Sequence, residues 1–338
     1  MRKSISLLAV LSLILGIFYV VVNFESDGAI PAEEALNVSV VVSSTFGDMS
    51  FNDSAQAAGE QLKADYGVNV NYIECKKDGY KQKMMEAAEM SDFVVAVGWE
   101  CYEIEEVAPE YPNTKFIFVD NSATNIKDIP NLQCVTYAQN EGGFLAGYIA
   151  AEMSSTGTIG AVTGDEGTMV SDYLAGYKQG AKYANPDVKV EVINAGEYED
   201  PIHGRECALQ LWEKGADVIF NIAGNTGIGI FSAAEEMGFY AIGVDGDQKV
   251  SSRQYDDYII CSVTKDVGKS FYDVIAAYLD DAVWNGGQNV TTNMENGYVA
   301  IAYGDSRSPQ QISDELKAEV QELTRQIMSG DLKVKSAK

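Results

Sequence analysis

From Asn37 onward, short apolar runs alternate with longer segments whose apolar residues recur at helical spacing. Val38–Ser43, Val68–Ile73, Phe93–Val97 and Phe116–Val119 are nearly continuous in valine, isoleucine and phenylalanine. That is the pattern of parallel strands covered on both faces. Ser54–Tyr66, Tyr80–Met90 and Tyr102–Glu110 fall between them and read as helices. The alternation is a βαβ series and predicts a doubly wound α/β sheet. A second series begins after Leu132–Thr136. It runs helix Glu141–Met153, strand Thr158–Thr163, helix Ser171–Ala184, strand Val188–Ile193, helix Pro201–Lys214, strand Val218–Ile222, helix Gly227–Met237 and strand Tyr240–Val244. No sequence repeat links the two series. The remainder, Tyr258–Lys338, is too short for a third unit. Its strand Ile259–Val263, helix Val267–Trp284, strand Tyr298–Ala302 and terminal helix near Asp314–Met328 are expected to complete the two sheets. The domain reading is 36–137 plus about 264–293 for one lobe, and 138–263 plus about 294–338 for the other. Several chain crossings would then form a hinge beside a cleft that closes on a ligand.

The segment ahead of these lobes addresses the compartment. Arg2 and Lys3 precede an uncharged run of 18 residues, Ile5–Val22. This is the layout of an export signal, and the run is long enough to span a bilayer. Residues 1–35 are therefore read as a signal or anchor helix followed by a polar linker, Asn23–Ala35. The flanks of Ala29 and Ala32 fit a small-x-small cleavage site poorly, which favours an uncleaved tether. The positive flank places the globular part on the extracytoplasmic face of the membrane. No cysteine follows the apolar run closely, so a lipid-bearing N-terminal cysteine is excluded. No second apolar span of that length appears, so the chain does not itself form a channel.

Composition removes several function classes. The chain has 338 residues with 24 Lys and Arg against 50 Asp and Glu, a formal net charge of -26. That field repels phosphate backbones and argues against nucleic-acid binding. The single histidine, His203, lies just behind Asp200-Pro201, an N-cap followed by a first-position proline. His203 then reads as a first-turn surface residue, and metal sites and histidine triads are poorly supplied. No metal or cofactor is expected. The five cysteines (75, 101, 134, 207 and 261) contain no Cys-x-x-Cys, and most of them read as reduced structural thiols. Cys75 and Cys101 lie just beyond two successive strands, and their pairing is left open.

Candidate chemistry collects in the loops after the strands. In open α/β sheets ligands bind at the carboxyl ends of strands. Phe46-Gly47-Asp48-Met49-Ser50-Phe51-Asn52-Asp53 crowds two aromatics, two acids and an amide at the first such end. Aromatic faces beside carboxylates suit a flat, polyhydroxylated, uncharged ligand. The alternative is a plain turn with Asn52 or Asp53 as helix N-cap. Other exits carry Trp99-Glu100, Asp120-Asn121-Ser122, Asp245-Gly246-Asp247-Gln248 and Thr264-Lys265-Asp266. The Gly-x-x-Gly-x-Gly run at 224–229 matches neither a dinucleotide fingerprint nor a P-loop. It reads equally as close helix packing or as backbone approach to a ligand. Asp48, Asp120, Asp245 and Asp247 would surround one site with Lys265 as its cation. Such a site is hostile to phosphates and welcoming to hydroxyls and ring nitrogens, so a nucleoside-like ligand would be the nucleoside and not the nucleotide. Paired acids could also hydrolyse a glycoside, but export and two lobes favour binding.

In order and spacing, these residues resemble the basic membrane protein family of type I solute-binding proteins, the group that includes purine nucleoside receptors. The similar segments are Ser50-Phe51-Asn52-Asp53, then Tyr111-Pro112-Asn113-Thr114-Lys115-Phe116 leading to Asp120, and Phe144-Leu145-Ala146-Gly147. Gly176-Tyr177 with Gly180-Ala181 and Gly215-Ala216-Asp217-Val218-Ile219-Phe220 follow. The last are Ala223-Gly224 with Thr226-Gly227, Gly243-Val244-Asp245 with Asp247-Gln248, and Ser262-Val263-Thr264-Lys265. Together they cover roughly 37–305. The resemblance implies a type I periplasmic-binding-protein-like fold and a non-enzymatic, monomeric receptor delivering purine nucleosides to an ABC permease and its ATPase. It implies Phe51 as a stacking ring, with Asp48 and Asn52 as polar companions. Asp120, Asp245 and Lys265 match ligand-contacting positions, and Gly224 would approach by its backbone. The opposing aromatic is expected to be Tyr173, with Trp99 next. Many members carry a lipid on a cysteine that this chain lacks. That departure leaves room for a membrane-anchored sensor, and the same cleft could serve a sugar receptor or a nucleoside hydrolase. A repressor is disfavoured, because a hydrophobic segment stands where its helix-turn-helix would be.

Overall fold

A computed structural model of the chain describes residues 35–75 and 79–337. The export run Ile5–Val22 lies outside those residues, as does the polar stretch up to residue 34. The unit Leu36–Lys338 holds both sheets.

The strands are β1 (Asn37–Val42), β2 (Asn69–Glu74), β3 (Phe93–Val97), β4 (Lys115–Val119), β5 (Leu132–Tyr137) and β6 (Thr158–Thr163). Then come β7 (Lys189–Asn194), β8 (Val218–Ile222), β9 (Tyr240–Asp245), β10 (Ile259–Lys265), β11 (Gln288–Thr292) and β12 (Val299–Ala302). The helices are α1 (Phe51–Tyr66), α2 (Tyr80–Ala88), α3 (Ile104–Val107), α4 (Gln139–Met153), α5 (Thr168–Ala184), α6 (Pro201–Glu213), α7 (Ile228–Met237), α8 (Gln248–Ser251), α9 (Val267–Asp281) and α10 (Asp314–Met328).

The first sheet is ordered β2-β1-β3-β4-β5-β11 and the second β7-β6-β8-β9-β10-β12. All neighbours are parallel except β12, which runs antiparallel to β10 from Ser262↔Ala302 to Lys265↔Val299. The central strands β3, β6 and β8 are buried at every position, in keeping with their largely apolar sequences. The edge strands β2 (NVNYIE) and β7 (KVEVIN) mix exposed and half-buried residues, so they alternate polar with apolar. The chain passes from the first sheet to the second after β5, returns after β10 into α9, and crosses again between β11 and β12.

The structure departs from the sequence reading in four elements. β11 carries one large apolar residue in QNVTT and is largely exposed; an edge strand needs no apolar run, so none was there to see. Tyr102–Glu110 is not one helix but a 3-10 turn (Trp99–Glu103), α3 and a second 3-10 turn through Pro109. The helix expected to reach Trp284 stops at Asp281, where Ala282 turns left-handed (φ 56°). α1 begins at Phe51, not Ser54, which puts Phe51 and Asn52 on its first turn.

Helices α4 and α5 touch backbone to backbone. A Cβ added at Gly147 would lie 1.9 Å from the Tyr177 carbonyl oxygen, and one at Gly180 would lie 1.8 Å from that of Phe144. Only glycine permits this approach, and it fixes α5, whose N-terminal turns face the cleft. All five cysteines are buried and unpaired. Burial pushes the Cys75 thiol up to about 11 and the Cys134 thiol up to about 12.

Candidate functional site

The carboxyl edges of the two sheets enclose a cavity of about 880 Å³, within the roughly 300–1,000 Å³ usual for small-molecule sites. Asp48, Phe51, Asn52, Trp99 and Asp120 line it from the first-sheet half. Tyr173, Gly224, Asp245 and Lys265 line it from the second. These nine of the residues singled out from the sequence lie on one cavity.

The N-terminus of α1 is built differently from either sequence reading. Ser50 stands at the N-cap but makes no side-chain cap. Asp48 does that work: Oδ1 accepts from the Ser50 and Asp53 amides (3.0 and 3.1 Å), and Oδ2 from the Asn52 amide (2.8 Å). A carboxylate here also answers the positive end of the helix dipole. Asp53 turns backward and accepts from the Gly47 and Met49 amides (2.6 and 2.9 Å). Asp48 is 9% exposed. Burial raises its carboxyl to about 6, against the pull of those three amides. The Asn52 side chain donates from Nδ2 to the Thr45 carbonyl (3.1 Å). A carbonyl can only accept, so the amide orientation is fixed. Asn52 Oδ1 is buried and has no hydrogen-bond partner among the described residues.

Asp120 directly follows β4 and Asp245 ends β9, equivalent strands of the two sheets. Both have left-handed backbones (φ 69° and 63°), a costly conformation for a residue with a Cβ. Between them lies the Lys265 ammonium, 2.8 Å from Asp120 Oδ2 and 3.5 Å from Asp245 Oδ1. Three rings surround it, with centroids at 5.0 Å (Phe51), 5.4 Å (Tyr137) and 5.6 Å (Tyr173). That is cation–π range. Burial alone would lower Lys265, but Asp120 and Asp245 outweigh it and hold the ammonium above its ordinary range. Asp245 is raised, first by burial and then by Asp120, while Lys265 and the Tyr173 hydroxyl (3.3 Å) pull it back. Asp120 Oδ1 is buried without a partner among the described residues.

A further wall was missed in the sequence. Tyr198, Glu199 and Asp165 also line the cavity, beside Glu100 of the β3 exit. The Tyr198 ring lies on Gly164, where an added Cβ would meet it at 2.2 Å. Burial and then Asp165 hold its phenol far above the usual range. Burial also raises Glu100. The exit loop of β7 carried the signal, an aromatic followed by an acid. One expectation is corrected. Asp247 is not among the cavity-lining residues; its Oδ2 accepts the Gly304 amide (3.1 Å). In the glycine run only Gly224 and Asn225 reach the cavity. Gly229 instead serves helix packing, its added Cβ lying 1.8 Å from the Pro201 oxygen. His203 is on the surface, and Asp200 caps its helix through the Ile202 and His203 amides (2.9 and 3.0 Å). Trp99 is 43% exposed and stands on the rim, whereas Tyr173 is 3% exposed.

Residues 35–338 match the family described as ABC transporter substrate-binding protein PnrA-like. The chain belongs to that family. It is 33% identical over 309 residues to basic membrane protein A of Borreliella burgdorferi, spanning 90% of this chain and 89% of that protein. A solute-binding protein structure from Aeropyrum pernix superposes with a TM-score of 0.78 at 24% identity, covering 90% of this chain and 94% of the other. One from Conexibacter woesei gives 0.72 at 25%, covering 89% and 99%. The fold is that of type I solute-binding proteins. The chain is thus an extracytoplasmic substrate-binding protein of the ABC transporter class and not an enzyme; its partners are a small-molecule ligand and permease and ATPase subunits. Among the described residues no helix is long and apolar enough to cross a membrane.

Proposed function

We propose that the cavity binds purine nucleosides, with the base on the Phe51 ring and the ribose against Asp120, Asp245 and Lys265. The observation that carries this reading is the pair of unpartnered buried acceptors, Asn52 Oδ1 and Asp120 Oδ1, beside an aromatic cluster. A buried acceptor without a donor is costly. A ligand that brings hydroxyls at one end and an N–H edge at the other satisfies both. Among the described residues that line the cavity, Lys265 is the one Lys or Arg, against Asp48, Glu100, Asp120, Asp165, Glu166, Glu199 and Asp245. A phosphate would meet that field unfavourably, which selects the nucleoside over the nucleotide. Asp48 holds the α1 terminus that presents Phe51 and Asn52, and Gly224 (φ 52°) offers backbone at the cavity wall. Tyr173 closes the buried side and Trp99 the rim.

In this reading the two bodies, 36–137 with about 264–293 and 138–263 with about 294–338, close over the ligand, and the permease reads the closed shape. The receptor works as a monomer tethered through its N-terminal apolar segment. Calorimetric titration of the Leu36–Lys338 unit with guanosine, inosine, adenosine, cytidine and ribose tests it. Submicromolar binding of a purine nucleoside without turnover is expected. Ribose binding alone would make it a sugar receptor. Silence for all five, from folded and ligand-free protein, would remove the nucleoside reading.

A further inference from the structure

Serine at a helix N-cap ordinarily turns its hydroxyl onto the helix's own amides. Ser50 does not, because Asp48 occupies them. Its hydroxyl instead crosses the cleft and donates to the Val244 carbonyl on β9 (3.0 Å). A second serine makes the reverse crossing. Ser251, at the end of α8 in the second-sheet half, donates to the Met49 carbonyl of the first (3.0 Å). Each half thus lends one hydroxyl to a backbone carbonyl of the other. The receiving segments are conformationally strained: Met49 (φ 53°) and Asp245 (φ 63°), beside the two carbonyls, are both left-handed without being glycine. Gly246 fits against this contact, where an added Cβ would lie 3.6 Å from the Met49 oxygen.

Neither Ser50 nor Ser251 lines the cavity, but their neighbours Asp48, Phe51, Asn52 and Asp245 do. We infer that Ser50 and Ser251 are positioning residues forming an interlobe clasp, which holds the closed form and sets the rate of ligand release. The clasp rests on the two-body closure proposed above and not on the identity of the ligand. It contains no charge, so its strength is independent of salt. The neighbouring Lys265–Asp120 contact is ionic. Both serines lie outside the ligand's reach, so their loss acts on the closed state and leaves the encounter with ligand unchanged.

The test compares Leu36–Lys338 with its Ser251→Ala and Ser50→Ala/Ser251→Ala variants. Small-angle scattering of ligand-free protein at low and high salt reads closure directly. Stopped-flow release of the tightest nucleoside reads function. The double variant is expected to be more extended than the parent by a salt-independent margin. Its ligand should dissociate roughly ten-fold faster, with association changed less than about two-fold. Identical scattering profiles, or a slower association with unchanged release, would overturn the clasp. If no nucleoside binds, the ligand assignment fails while the scattering comparison still decides the clasp. Should the double variant melt far below the parent, Ser251→Ala alone decides, since Ser251 is an exposed residue at a helix end.

Discussion

Replacing Lys265 with methionine would leave two carboxylates facing each other without their cation. Lys265 is 3% exposed, and its ammonium lies 2.8 Å from Asp120 and 3.5 Å from Asp245. Methionine keeps an unbranched, apolar stem among the Phe51, Tyr137 and Tyr173 rings, so the variant chiefly reports the charge. Removing one partner of a buried pair costs about 3–5 kcal/mol, and that is the deficit expected in urea unfolding at pH 8. The deficit must depend on pH. Asp245 is already raised by burial, and Lys265 is what pulls it down. Without the lysine its folded pKa climbs further above the unfolded value. The penalty is then full above that raised pKa and fades as pH falls through it, so variant and parent should converge toward pH 4–5. The parent lysine contributes no such slope: its folded pKa is raised, so its contribution is complete below the ordinary lysine range and is lost only at alkaline pH. Adding Asp245→Asn to the variant should recover most of the loss at pH 8. A deficit below about 1 kcal/mol, or one equal at pH 5 and pH 8, would refute the buried-charge account.

Phe51→Ala should weaken nucleoside binding by roughly 1–3 kcal/mol, the scale of base–aromatic stacking; unchanged calorimetric affinity would remove Phe51 from the site. Purine riboside, whose base has no N–H donor, should bind about ten-fold more weakly than inosine, and Asn52→Leu should erase that difference. Burial lifts the Asp48 carboxyl from an ordinary 3.8 to about 6, so stability should fall by ~2 kcal/mol as pH rises from about 4 to about 6. Asp48→Asn should flatten that slope in unfolding curves, even while weakening the cap. Gly180→Ala drives a methyl to within 1.8 Å of the Phe144 oxygen and should cost at least roughly 1–3 kcal/mol, read as a lower melting temperature.

Much of this molecule is written in local pattern. A strand covered on both faces is mostly apolar, so β3, β6 and β8 announce themselves, and their parallel order puts the strand exits along one edge of each sheet. That is why the residues after β1, β3, β4, β8, β9 and β10 could be named before their contacts were seen. Family segments such as Gly176-Tyr177 with Gly180-Ala181 were visible as spelling, while their reason, the α4–α5 backbone contact, was not. β11 was invisible because a polar strand on a sheet edge satisfies no periodicity. Asp245 and Asp247 look alike in the chain, yet a left-handed backbone aims the first at Lys265 while the second accepts from Gly304. Residue order alone thus dictated the two doubly wound sheets, the acid-rich character of their exits and the family. Folding in three dimensions settled which acid caps α1, which oxygens remain without donors, and which serines reach across the cleft. Those outcomes depend on side-chain direction and on partners more than 190 residues apart, as Ser50 and Val244 are, and local periodicity carries no information about either.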